Sequence, residues 1–171
     1  MATTLELYLE HQIIRGEFRD EEGQRAIDLL NSAASGAIIA LTNAWTASLH
    51  YQAAPVRLHT VRVRRPQVFL VVPGDNAPLP PRRFRTGFSE RQPLRALVGL
   101  GPFTVAGTHY IGLHEQPNVG TLEHDPTGRF FIPITDAVVR SQFNPKWTFA
   151  VPLLFANRGA IAYTAPLPAE K

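Results

Sequence analysis

The apolar positions of this chain come in short runs with the chemistry of strands. "HQIIRGEF" at 11–18 and "FTVAGTHYIG" at 103–112 mix β-branched and aromatic residues around a Gly, the pattern of a strand with a bend. "RAIDLLN" and "VGTLEHD" follow them, and then come the strongest strand signals, at 37–48 and 130–141. Two further strands, at 57–64 and 67–73, leave so few residues between them that a tight turn at Arg65-Pro66 is required. The matching turn in the second half is "NRG", 157–159, where Gly159 can take a positive φ. "TTLE" sets Thr3 three residues before Glu6, and "SERQ" sets Ser89 three before Gln92. This is capping-box spacing, so a short helix is expected to open each half, although Leu5, Leu7 and Leu9 alternate as in a strand.

The same pattern is written twice. At an offset of 93, Thr42 meets Thr135, Ala44 meets Ala137, Ser48 meets Ser141, Arg65 meets Arg158 and Pro73 meets Pro166, with no gap from 37 to 73. Upstream, Gly16 meets Gly107 once two residues are inserted in the second copy. A tandem duplication of a unit of about five short strands accounts for this. Residues 1–73 form the first unit and 89–171 the second. Between them, 74–88 is a Pro/Arg-rich linker in which Pro78, Pro80 and Pro81 exclude a helix.

Charge changes the picture more than composition does. The formal net charge is only +3, but nine Arg between 57 and 95 face only Asp75 and Glu90, a local excess of +7 against −4 elsewhere. Such a stretch is either an anion-binding surface, with nucleic acid the obvious ligand, or a solvated linker in an Arg-preferring chain. The absence of Cys excludes disulfides and thiolate chemistry. "MATTLELYLEHQ" has no secretory pattern, and runs such as "VFLVV" are far short of the ~20 residues of a membrane span, so a cytoplasmic protein without membrane contact is expected.

The second copy resembles the Sm-like small β-barrel family, through "GTLEHD" at 120–125, "FFIPITDA" at 130–137 and "LLFANRGAIAYTAP" at 153–166. The first copy matches more loosely, with Arg-Arg-Pro at its turn in place of Arg-Gly, and the double pattern is also similar to small uncharacterised bacterial β-domain proteins. The resemblance implies an all-β chain of two tandem five-stranded barrels. It also implies rings, in which the fourth strand of one barrel pairs with the fifth of the next, with RNA near the pore. Three chains would then make a pseudo-sixfold ring. Carried over to this sequence, the RNA-binding positions are Asp125, Asn157, Arg158 and Gly159, with Arg65 as the first copy's counterpart. Arg64, Arg82, Arg83 and Arg85 from the basic stretch, and Arg129, complete the candidate set. In "DPTGRFF", Arg129 or Phe130 stands where the family has a base-reading Asn, a departure from the pattern for uridine recognition.

Enzyme chemistry finds little support. His109 and His114 are an odd number of residues apart and would point to opposite faces of a strand, and His-x-His and His-Glu-x-x-His spacings are absent. Neither a Gly-x-Ser-x-Gly elbow nor a phosphate-binding Gly loop is present. Asp136 is matched in the first copy by Asn43, so turn or strand-end hydrogen bonding explains it better than proton transfer. Trp45, in the best strand of the first copy, is expected in the core, and Trp147 at a barrel end or an oligomer interface. The expectation is a non-enzymatic RNA-binding or RNA-associated assembly protein with no cofactor or metal. The alternative is an oligomeric scaffolding protein that binds protein partners.

Overall fold

Alternation, not the capping-box spacing, decides the first element. The computed structural model describes residues 2–19, 26–32, 37–50, 53–74, 91–112, 119–122 and 128–168. In it Thr3, Leu5 and Leu7 are buried while the residues between them are more exposed, and β1 (Ala2–Tyr8) is a strand where a helix was expected. Ser89 and Glu90 of the second capping box lie outside the described residues, and Arg91 and Gln92 begin a strand. The strands that follow β1 are β2 (Gln12–Arg19), β3 (Ile38–Ser48), β4 (Val56–Arg64) and β5 (Leu70–Pro73). The second half supplies β6 (Arg91–Leu100), β7 (Phe103–Gly112), β8 (Phe131–Ser141), β9 (Thr148–Asn157) and β10 (Ile161–Pro166). Among the described residues, helix appears between strands two and three of each unit. It forms α1 (Ala26–Asn31) in the first half and a 3₁₀ turn, Val119–Leu122, in the second. Leu30 and Leu122, each 1% exposed, drop from these segments into the core of their own half.

The protein is all-β, with every neighbouring pair antiparallel in one ten-stranded sheet of order β10-β6-β7-β8-β9-β5-β1-β2-β3-β4. Each half contributes the same order, fifth-first-second-third-fourth. The halves are joined where β5 meets β9, with Leu70 opposite Ala156 and Val71 opposite Phe155. Two separate small barrels, each leaving two edge strands exposed, were expected. Instead the sheet is open, and two of those edges satisfy each other's backbone groups, leaving β4 and β10 at the ends. The residue types explain the choice. Val71, Leu153 and Phe155 enter the first core, while Leu70, Val72, Leu154 and Ala156 enter the second, so both faces of the β5–β9 seam are apolar and buried. Asn157 locks the seam: its backbone N–H donates to Phe69 O at 2.9 Å and its Nδ2 to Val68 O at 2.7 Å. Across the same seam, Asn31 Nδ2 donates to Phe131 O at 3.0 Å and its Oδ1 accepts from the Phe131 N–H at 2.7 Å.

An aromatic cluster closes the second core at the seam. The Tyr8 ring stacks on Phe149 at 5.4 Å and meets Trp147 at 5.7 Å and Phe103 at 6.0 Å. Trp147, expected at a barrel end or an oligomer interface, thus packs between the halves of one chain. Burial, reinforced by the Glu6 carboxylate that accepts its hydroxyl proton at 2.9 Å, raises the Tyr8 pKa well above the ordinary tyrosine value.

The duplicated sequence signals mark two shared irregularities. Register shifts between Arg15 and Glu17 against β3, and between Ala106 and Thr108 against β8. Opposite these points Asn43 (φ 48°) and Asp136 (φ 50°) occupy the left-handed region, which short polar side chains tolerate. Thr-Asn-Ala and Thr-Asp-Ala are therefore mid-strand bulge sequences and not strand ends. The turns before β5 and β10 are 3₁₀, at Arg65–Gln67 and Arg158–Ala160. Such a turn needs ordinary negative φ, which both Pro66 and Gly159 supply. The positive φ expected at Gly159 is not used, and among the described residues only Gly101 and Gly128 are glycines that adopt one. Pro133 lies beyond the last β7–β8 pair, Thr108 with Thr135, and breaks no ladder bond on that side. No helix among the described residues is long and apolar enough to cross a membrane.

Candidate nucleic-acid interface

The exposed side chains of β4 fall in two groups, because the strand changes its inward side between Leu58 and Val61. Val61 and Val63 point inward opposite Leu41 and Ile39, so Arg62 and Arg64 point outward and are exposed. Toward the other end of β4, Leu58 packs inward opposite Ala44, and Arg57 and His59 face out, both exposed. At the offset of 93 the corresponding β9 residues are Ala150, Pro152, Phe155 and Asn157, the last two buried at 5% and 1% exposure. One copy of this strand is welded into the seam. The other carries three guanidinium groups and an imidazole into solvent.

The bulge at Asn43 changes the face of β3. Leu41 and Ala44, three residues apart, both enter the core, so Trp45 turns to the outer surface beside β4. Trp45 is directly opposite Arg57 on one side and Arg15 on the other. It is half-buried, not a core residue as expected from its strand. Arg15 is held by Glu6 at 3.0 Å, and Asn43 Nδ2 donates to Glu17 Oε2 at 3.0 Å. Together Asn43, Ala44, Trp45, Arg57, Leu58 and His59 line an open groove of about 490 Å³. Among the described residues, neither Arg57 nor His59 has a hydrogen-bond or ion-pair partner for its side chain.

The positions taken from the family pattern are distributed differently. Arg65 is 7% exposed, its Nη2 donates to Ser32 O at 3.2 Å and its guanidinium lies over the Phe130 ring at 5.5 Å. Burial lowers its pKa from the ordinary arginine value. Asn157 spends its amide on Val68. Both side chains are engaged in holding the turn and the seam. Arg129 and Gly159 are exposed and Arg158 is half-buried; the Arg158 N–H donates to Phe130 O at 2.9 Å, so Arg129 and Arg158 sit at neighbouring strand ends. Arg82, Arg83, Arg85 and Asp125 lie outside the described residues.

The basic stretch does not gather on one face. Arg57, Arg62 and Arg64 lie on β4 at one end of the sheet, whereas Arg91 and Arg95 lie on β6, next to the opposite end. Among the described residues no group of three or more His, Asp or Glu could hold a metal ion. His109 Nδ1 is 2.8 Å from the Pro133 carbonyl oxygen, while His114 and His124 lie outside the described residues. Comparison of the chain with protein-family models, with characterised proteins and with solved structures gives no match.

Proposed function

We propose that this chain is a tandem of two Sm-like units and a non-enzymatic protein that binds RNA along the outer face of β4. The shared strand order and the paired bulges support the tandem reading. The observation that carries the function is the contrast between equivalent strands: where β9 has Phe155 and Asn157 buried in the seam, β4 has Arg62 and Arg64 exposed, with Arg57 and His59 further along. Exposed guanidinium groups spaced along an edge strand can engage phosphates and release condensed counterions. The test is binding of mixed-sequence single-stranded RNA as salt is raised. Affinity should fall steeply with salt. Reversing Arg57, Arg62 and Arg64 to Glu should abolish binding at low salt. Changing the same three to Gln should reduce the log–log slope by about 2, at ~0.7 for each phosphate no longer neutralised. No binding by the unaltered chain at low salt removes the reading.

A second reading, self-assembly of a scaffolding protein, rests on the two unpaired edges. β10 is equivalent to β5 and β4 to β9, so copies joined head to tail would repeat the internal seam and form a ring or a filament. Tyr163, 45% exposed, stands where the seam has Leu70, and Val63 where it has Ala156. The opposite face of that joint would be polar, with Thr164 and Arg62 in place of Val71 and Phe155. Association is thus expected to be weaker than the internal seam and concentration-dependent. Sedimentation velocity should show it, and Arg62→Pro, which removes an outward N–H of an edge strand, should leave a monomer. An unaltered chain that stays monomeric at high concentration excludes this reading.

A further inference from the structure

Resting on the RNA-binding reading, we infer that the groove at Trp45 is a base-stacking subsite that makes β4 selective for single strands. Three observations converge on it. The bulge at Asn43 brings the Trp45 indole to the outer surface, beside a groove of about 490 Å³. The Arg57 guanidinium and the His59 imidazole line the same groove, where a phosphate attached to a stacked base would lie. Asn43 stands at its rim with both amide donor and acceptor capacity, one donor being held by Glu17.

The second copy provides an internal comparison. At the offset of 93, Trp45, Arg57 and His59 are replaced by Val138, Ala150 and Pro152, although backbone and bulge are the same. The fold therefore does not need an indole, a guanidinium or an imidazole at these positions. Core packing does not account for Trp45 either, because the side chains that fill the core here are Leu41 and Ala44. An aromatic face flanked by a guanidinium and an imidazole fits a base with its phosphate. A base paired in a duplex has no free face to offer, which gives the site its selectivity.

The experiment follows the binding of a short oligouridylate, an oligoadenylate and an RNA duplex to the full chain, by fluorescence anisotropy of labelled RNA and by intrinsic tryptophan emission. Trp147, packed against Tyr8, Phe103 and Phe149, should contribute an unchanging background. Single strands are expected to quench emission, and Trp45→Ala should weaken their binding about fivefold to a hundredfold. Trp45→Phe should restore most of the affinity, and duplex binding should not respond to either change. Circular dichroism on each variant checks that the sheet is intact. If Trp45→Ala leaves single-strand affinity within twofold while the Arg57, Arg62 and Arg64 reversal abolishes it, the stacking subsite is wrong and the phosphate-binding face stands. Equal losses for single strand and duplex also overturn the subsite. If neither RNA binds the unaltered chain, both proposals fall.

Discussion

Gly107→Val should destabilise the protein by about 3 kcal/mol or more, enough to remove a large part of the stability of an ordinary domain. A Cβ on Gly107 would collide with Ile134 Cγ2 and approach Thr135 O to 3.0 Å and Ala137 Cα to 3.3 Å. Two of these three neighbours are backbone atoms of β8 at its bulge, so relief requires moving the strand and not a side-chain tip. Gly16→Val should cost a similar amount, because its added Cβ would be 2.9 Å from Ala44 Cβ and 3.0 Å from Leu41 Cβ and Thr42 O. At the offset of 93, Leu41, Thr42 and Ala44 are the counterparts of Ile134, Thr135 and Ala137, the residues around Gly107. Gly128 provides the contrast. Nothing lies within 4 Å of its added Cβ, and only its φ of +65° penalises a side chain, by ~1–2 kcal/mol. Urea denaturation of the three variants measures the ranking. A Gly107 variant as stable as the Gly128 variant would contradict the close approach of β7 to β8.

Phe155→Ala should cost ~3–5 kcal/mol, whereas Arg62→Ala at the equivalent position should stay within ~0.5 kcal/mol. Phe155 is 5% exposed and crosses the seam into the first core against Val71, so its removal opens a cavity between the halves. Arg62 lies on the same face of the same strand in the other copy, with solvent where Phe155 has a partner unit. The contrast measures what joining the halves contributes, since strand, register and unit are otherwise alike. Denaturant titrations in dilute solution keep self-association out of the comparison.

The repeat was legible because its irregularities demand particular residues. A close-packed Gly faces a bulge that takes Asn or Asp in the left-handed region, and a 3₁₀ turn follows the next strand. These constraints kept Gly16/Gly107, Thr-Asn-Ala/Thr-Asp-Ala and Arg65/Arg158 recognisable while the rest diverged. The helix expected to open the first half does not form, because Thr3 and Glu6 match a capping box while Leu5 and Leu7 obey a strand period, and the buried sheet neighbours of β1 settle the conflict. The single open sheet was hidden for another reason. A local pattern shows that a strand is apolar on both faces, as at Leu70–Val72 and Leu153–Ala156, but not which distant edge will cover it.

The interface was less legible than the fold. Arg65 and Asn157 fall where a nucleic-acid-binding turn would need them, yet their side chains reach Ser32, Phe130 and Val68. The strand pattern alone places Trp45 in the core. One bulge residue shifts the inward positions from Leu41 to Ala44 and turns the indole outward. The exposed β4 cations were visible as part of a basic stretch, but that stretch is divided between opposite ends of the sheet.

Backbone amide shift mapping of the full chain against single-stranded RNA tests the central claim, that β4 and not the Arg158 turn meets the ligand. The predicted result is a contiguous set of shifted resonances from Asn43 to Trp45 and from Arg57 to Arg64, with β9 and β10 unmoved. Shifts confined to Arg129, Arg158 and Gly159, or absent altogether, would contradict it.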